Sequence, residues 1–565
     1  MKRSTHLLIA SVLAGCITSC SSGKRIAQHR IVTNPMNLNY RFQPKDESRR
    51  EAADPVLEYF KGYYYLFASK SGGYWRSEDL ADWEYVPCTT IPTLEDYAPT
   101  ILPIGDTLYF TTSSGKTQIF KNAHPEKDTW EAVDTKLTYR LHDPAFYSDE
   151  DGKVYMYWGC SDKEPIMGVE VDPKDGFRAL GEAKALIAHH GDKYGWEVPG
   201  KNNEEPRQGW NEGPCMLKYE GRYYLQYAAP GTQYRIYGDG IYVGDTPLGP
   251  FEYVEDNPFS FKPGGFIGGA GHGHTFRDKY GNYWHVASMI ISVRHMFERR
   301  LGLFPVAVSS RNGIYAHTVW SDYPFYIPNR KVDFDKTDLS MGWNLLSYRK
   351  PVQASSSLVG YEPGNANDEQ IETWWAAQTG KKGEWLQVDL ETPMLVNSIH
   401  VNFADHHFKV FAPHPPVVYQ FFIEGSADGK KWMNLFDERE NGKDEPHRLF
   451  TLDKPVKVRY LRICNAKEMD GCFSLSGFRV FGKGEGAAPS KVTGFRAIRD
   501  SEDKRMYRFT WDAQEGATGY VLRWGTQKDK LTHAVTEFDN QYEARYFNRD
   551  SEYYFSITAF NENGN

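Results

Sequence analysis

Five segments of the chain share one form, and no other feature restricts its fold as strongly. In each, a small, acidic or glycine residue, often followed by proline, opens a strand. A Gly-containing turn comes next, and an aromatic-rich strand then ends in Ala, Ser or Gly. The segments begin Asp54-Pro-Val-Leu-Glu-Tyr, Ala98-Pro-Thr-Ile-Leu, Asp143-Pro-Ala-Phe-Tyr, Glu212-Gly-Pro-Cys-Met-Leu and Gly271-His-Gly-His-Thr-Phe, with starts 44, 45, 69 and 59 residues apart. One hairpin is too small to be stable alone, and these spacings leave room for two more strands per unit. Five four-stranded units describe a β-propeller, whose radial packing protects the strand edges. The expected fold class is all-β: a five-bladed β-propeller over 35–330 followed by two β-sandwich domains.

In a propeller the first strand of each blade lines the central axis, so residues that open the repeats converge at one end of the channel. The openers are Asp54, Ala98, Asp143, Glu212 and the Gly271-His272 pair. Asp-Pro is a common turn opener, but three carboxylates facing one axis repel one another, a cost met more often at a functional site than in a scaffold. Trp75, Tyr97, Trp158 and Trp210 lie close to the openers in sequence and are candidates to stack on a sugar ring. Arg294 is a candidate to clamp a hydroxyl or a carboxylate. The chain has 37 Tyr and 15 Trp and a net charge of −8, which suits a hydroxyl-rich ligand and provides no basic field for nucleic acid.

These segments resemble glycoside hydrolase family 43, a five-bladed propeller family, over residues 35 to 330. The resemblance implies Asp54 as general base, Asp143 as the carboxylate that tunes the acid and orients substrate, and Glu212 as general acid. It implies an inverting, exo-acting enzyme that releases a terminal arabinofuranosyl, xylosyl or galactofuranosyl residue from polysaccharide; the alternative is a non-catalytic carbohydrate-binding propeller. Inversion needs a protonated carboxyl beside the leaving oxygen and an ionised carboxylate across the sugar, with room for water between. His272 or His274 resembles the family's axial histidine, which in many members meets water or calcium. No cofactor is required for the chemistry. Invertase-like fructosidases also place three carboxylates on such an axis, but their Asn-Asp-Pro-Asn-Gly and Arg-Asp-Pro motifs are absent: the chain reads Ala53-Asp54-Pro55-Val56 and His142-Asp143-Pro144.

Residues 343–483, with Trp385-Leu-Gln-Val-Asp-Leu and Arg459-Tyr-Leu-Arg-Ile, resemble the discoidin or coagulation factor type C sandwich, which often binds sugar and carries calcium. Residues 487–565, with Gly519-Tyr-Val-Leu-Arg-Trp, resemble fibronectin type III. Both suit spacers, and the Gly-, Lys- and Glu-rich insertion between Asp143 and Glu212 suits a pocket rim. At the N-terminus, Lys2-Arg3, an apolar run from Leu7 to Leu13 and Leu13-Ala14-Gly15-Cys16 form a secretion-signal pattern over 1–22. It resembles a bacterial lipoprotein signal, with Cys16 or Cys20 as the lipidated residue and the cell envelope as the expected location. Seven cysteines are too few to hold this fold together; Cys464 and Cys472 are a candidate pair, and Cys88, Cys160 and Cys215 read as small buried residues.

Overall fold

A computed structural model describes residues 30–45, 48–309 and 313–565. Among the described residues there is no α-helix, only strands and four short 3-10 turns. Blade 1 consists of Val56–Phe60, Tyr63–Phe67, Gly73–Ser77 and Glu84–Pro87. Blade 2 is built on Tyr97–Ile104 and Thr107–Ser113, blade 3 on Ala145–Ser148 and Val154–Trp158, blade 4 on Asn211–Tyr219 and Arg222–Ala229, and blade 5 on Gly268–Arg277, Tyr283–Ile290 and Arg299–Ser309. The five first strands stand side by side in that order and the fifth returns to the first. The ring is closed.

In blades 1, 2 and 4 the Gly turn of the repeat is a two-residue hairpin loop. Phe60 pairs with Tyr63 across Lys61-Gly62 (φ 47° and 93°), and Tyr219 with Arg222 across Glu220-Gly221 (φ 49° and 80°). Two successive left-handed residues match the right-handed twist of the flanking strands.

The openers have a backbone rule of their own. Asp54, Ala98, Asp143, Gly213 and His272 are all left-handed, with φ between 46° and 59°. Four of them donate their backbone N–H to a side chain of the preceding blade: Asp54 to Ser288 Oγ (2.9 Å), Ala98 to Ser69 Oγ (2.8 Å), Asp143 to Ser113 Oγ (2.7 Å) and His272 to Asp239 Oδ1 (2.7 Å). The repeat-equivalent residue of blade 4 is therefore Gly213, not Glu212, which stands one position earlier; in blade 5 it is His272, not Gly271. The pairing register slips between Glu212 and Cys215, a bulge that re-aims the side chain next to it.

Asn344–Leu345 through Ser474–Lys483 form an eight-stranded sandwich around a core that includes Trp375, Leu386, Val401, Phe421 and Phe478. The last unit has two three-stranded sheets, one from Arg496–Arg499, Tyr507–Thr510 and Gln541–Ala544, the other from His533–Glu537, Gly519–Gly525 and Tyr554–Phe560. Both units pack against the propeller. Trp524, Tyr546 and Phe547 of the last unit share one core with Trp196, Tyr227 and Phe261 of the propeller. Gly195 donates to Phe547 O (3.1 Å), so this part of the long insertion is covered rather than a free rim.

The five cysteines within the described residues are all free. The Cys464–Cys472 pairing is thus corrected: Cys464 lies on a strand opposite Trp385 and Phe422, whereas Cys472 Sγ faces the His407 ring and Gln378 O. Cys16 and Cys20 lie outside the described residues, within which no helix is long and apolar enough to cross a membrane.

Candidate active site

Asp54, Asp143, Glu212 and His272 line one pocket of about 350 Å³ at the end of the propeller axis, together with Tyr97, Cys160 and Arg299. All three carboxylates are at least nine-tenths buried. His272 Nδ1 stands 3.4 Å from Asp54 Oδ1 and 3.6 Å from Asp143 Oδ2. Asp143, Cys160 and Glu212 bring ligand atoms within 4.8 Å of one another. Asp54 and Glu212 thus sit at opposite ends of a chain of contacts running through His272 and Asp143.

The two end carboxylates have opposite surroundings. Burial works against the charge of Asp54, but Arg299 and His272 outweigh it and hold its pKa below the ordinary 3.8. Arg299 Nη1 donates to Asp54 Oδ1 (3.0 Å) and Ser69 Oγ to Oδ2 (2.6 Å). For Glu212, burial and then the Asp143 charge push the pKa up to about 7, against the pull of His272 and of the Tyr237 hydroxyl, which donates to Oε1. Cys160 Sγ lies 3.3 Å from Oε2. Burial also raises Asp143, with His272 opposing. His272 is shifted the other way: burial disfavours its charge, but Asp54, Asp143 and Glu212 prevail and raise its pKa. An ionised group and a proton-holding group therefore face one cavity, the pairing that acid–base catalysis requires.

Gly213 makes this packing possible. A Cβ there would lie 2.6 Å from Cγ and Cδ2 of His272, so a side chain at the fourth opener would evict the imidazole.

Calcium takes six to eight oxygen ligands. The Asp143–Cys160–Glu212 trio sets a thiol beside two carboxylates, and His272 Nδ1 is turned to two carboxylates. These donors do not suit calcium. His274 is separate, its Nε2 3.6 Å from Glu58 Oε1.

The aromatic candidates divide. Tyr97 lines the pocket, with its ring 5.7 Å from that of Phe297. Trp75 is fully buried, donating to Asn39 Oδ1 (2.6 Å), and Trp158 is core, stacked on Tyr139. Trp210 is 39% exposed beside Asn211 and Glu212 but does not line the cavity. Arg294 turns away: it pairs with Glu298 (2.8 Å), donates to Ala404 O and covers the Trp374 ring in the sandwich. Sequence reading missed Arg299, Tyr237 and Cys160. Cys160 is half-buried beside the acid rather than core, and its pairing opposite Glu212 crosses from blade 3 to blade 4. Arg299 opens the third strand of blade 5, outside the repeated motif.

Two of the units match known protein families. Residues 48–309 match Glycosyl hydrolases family 43 and residues 351–475 match the F5/8 type C domain. The beta-D-galactofuranosidase xynD of Aspergillus niger is 24% identical over 234 residues, covering 35% of this chain and 62% of that protein. The chain thus spans about three fifths of that relative's length. Among solved structures, one titled "Glycoside hydrolase" is 19% identical with TM-score 0.44, covering 79% of this chain and 99% of its own. The family 43 BlXynB protein of Bacillus licheniformis is 16% identical with TM-score 0.40, covering 95% and 97%.

Proposed function

We propose that this chain, which carries a family 43 glycosyl hydrolase domain followed by an F5/8 type C domain, is an inverting, exo-acting glycoside hydrolase. It releases terminal furanosyl or pentosyl residues of the α-L-arabinofuranosyl, β-D-xylosyl or β-D-galactofuranosyl type from polysaccharide, and the named activity of the Aspergillus niger relative supports the furanosyl choice. The observation that carries the reading is the contrast between Glu212, raised to about 7, and Asp54, held low by Arg299 in the same pocket.

Glu212 gives its proton to the leaving oxygen as the glycosidic bond breaks. Asp54 takes a proton from the water that attacks the anomeric carbon from the opposite face, and the new C–O bond forms with inverted configuration. Asp143 keeps Glu212 protonated by its nearby charge, and His272 offsets the repulsion between Asp54 and Asp143. Calcium enters no step. The two three-stranded sheets at 496–560 support a fibronectin type III-like reading of the last unit, and the Lys2-to-Cys20 signal pattern supports a lipid anchor at the bacterial cell envelope.

Three 4-nitrophenyl glycosides of these sugars, and an oligosaccharide of the one that is cleaved, test the assignment. Glu212→Gln is expected to slow the oligosaccharide by about 10²–10⁴-fold and the 4-nitrophenyl glycoside less, because 4-nitrophenolate leaves with little acid help. Asp54→Asn should abolish both, and NMR of the first-formed sugar should show inverted configuration. No hydrolysis of any glycoside, nor of arabinan, arabinoxylan or arabinogalactan, would leave the propeller as a sugar-binding module.

A further inference from the structure

The support of Asp54 does not end within the propeller. Arg299 Nη2 donates to Glu51 Oε1 (3.0 Å) while Nη1 holds Asp54, and both Glu51 and Arg299 are almost fully buried. Each has a charged chain neighbour, Arg50 and Arg300, whose side chain turns the other way, as alternation along extended backbone requires. Arg50 Nε donates to Asp405 Oδ2 (2.8 Å) and its Nη1 lies 2.8 Å from Asp444 Oδ1. Arg300 Nε donates to His447 Nε2 (2.8 Å). Burial and then Arg300 push the pKa of His447 well below its ordinary value. The ring is therefore neutral, and its Nδ1–H is the donor to Asn402 Oδ1 (2.8 Å). Arg300 Nη1 also donates to the carbonyls of Arg50 and Arg299 (both 2.9 Å), which ties the two segments together. Asp405, Asp444 and His447 all belong to the F5/8 type C sandwich.

We infer that the F5/8 type C domain is part of the catalytic apparatus: Asp405 and His447 are positioning residues that clamp Arg50 and Arg300 from outside and so fix the Glu51–Arg299–Asp54 chain on the inside. The inference rests on Asp54 being the general base. A tethered sugar-binding module would bring no buried charge to the neighbours of the base; this one brings an Arg–Asp pair in which both side chains are at most 2% exposed. Such a pair costs more to break than to keep, so the sandwich cannot shift without moving the segments that carry Glu51 and Arg299.

The readout is the acid limb of kcat/KM, where activity falls as Asp54 gains a proton. Arg299 and His272 of blade 5 face Asp54 as cations, Ser69 of blade 1 as a donor, and Asp143, Glu212, Tyr97 and Tyr237 as acidic groups; only the placement of Arg299 depends on the sandwich. In the full-length protein, Asp405→Asn and His447→Gln are expected to lower kcat by about 10-fold or more, as a displacement below 1 Å would. KM should change less, and the acid limb should move up by roughly one pH unit as Asp54 loses part of its Arg299 contact. Asp444→Asn, a milder change on the same arginine, should move the limb in the same direction by less. Glu369→Gln breaks another buried pair, Glu369–Arg479, whose arginine donates to Asp322 O. It should lower the melting temperature without moving the acid limb.

If folded Asp405→Asn, His447→Gln and Asp444→Asn all keep the wild-type limb, or if Glu369→Gln shifts it equally, the inference is overturned. Asp54→Asn separates the two failures: retained activity there removes the base assignment itself, whereas loss of activity with unmoved clamp variants removes only the role of the sandwich.

Discussion

Gly213→Ala is a one-methyl change that tests how the pocket is assembled. The residue has φ 59°, where an L-residue costs roughly 1–2 kcal/mol. The added Cβ would sit 2.6 Å from two ring atoms of His272, and relieving an overpacked contact of this kind costs about 1–3 kcal/mol. The imidazole has little room to yield, because its own backbone is left-handed and hydrogen-bonded to Asp239 while its Nδ1 is shared by Asp54 and Asp143. Together these give a loss of about 2–5 kcal/mol, and displacement of the ring by several tenths of an ångström to 1 Å should reduce kcat/KM on the order of 10²-fold. Thermal unfolding measures the first and kcat/KM on the folded fraction the second. Gly221→Ala is the control: it is also left-handed (φ 80°) in blade 4 but has no atom within 4 Å of the added Cβ, so it should cost stability alone. A soluble Gly213→Ala with wild-type kcat/KM and pH profile would refute the claim that His272 is fixed between the two carboxylates.

Wild-type kcat/KM should fall as pH rises through about 7, when Glu212 loses its proton, and its acid limb, where Asp54 gains one, should lie below the ordinary aspartate range. Glu212 also costs stability: its pKa rises from 4.5 to about 7 on folding, so the folded state is favoured most below pH 4.5 and loses on the order of 3 kcal/mol as pH climbs to 7 and beyond. Glu212→Gln should therefore unfold at a higher temperature than wild type at pH 8, with the gap closing toward pH 4.5, as calorimetry would show. Trp75→Ala should cost about 3–5 kcal/mol of stability, as removal of a core indole does, yet leave KM unchanged. Tyr97→Ala should do the reverse, raising KM with little change in melting temperature.

The propeller was legible because its signal is periodic and local: X-Pro openers, Gly turns and aromatic second strands recur in sequence, and each has a mechanical cause in the structure. The phase in blade 4 was not legible, since Glu212 and Gly213 are adjacent and only the shared left-handed backbone shows which one fills the repeated position. Nearness to an opener in sequence misplaced Trp75 and Trp158, because the strands carrying them turn those indoles into cores between blades. Arg299 was invisible for a different reason. Its partners Asp54 and Glu51 lie 245 and 248 residues away in the chain, and no local pattern marks such a pair. The same holds for Arg50 and Asp405, 355 residues apart, so the sandwiches read as loose appendages although they are bolted to the propeller.

The ring of left-handed openers separates what the backbone does from what the site does. Each blade offers one socket of the same shape, held mostly by a hydrogen bond from the backbone rather than by the identity of the side chain. Two sockets carry carboxylates, one an imidazole, one a methyl at Ala98 and one nothing at Gly213. The socket at Ala98 shows the division: Asn or Asp tolerates this conformation better than alanine does, yet a buried alanine stands there, so the frame does not depend on a favoured side chain. The reaction such a ring performs is a matter of which sockets are filled.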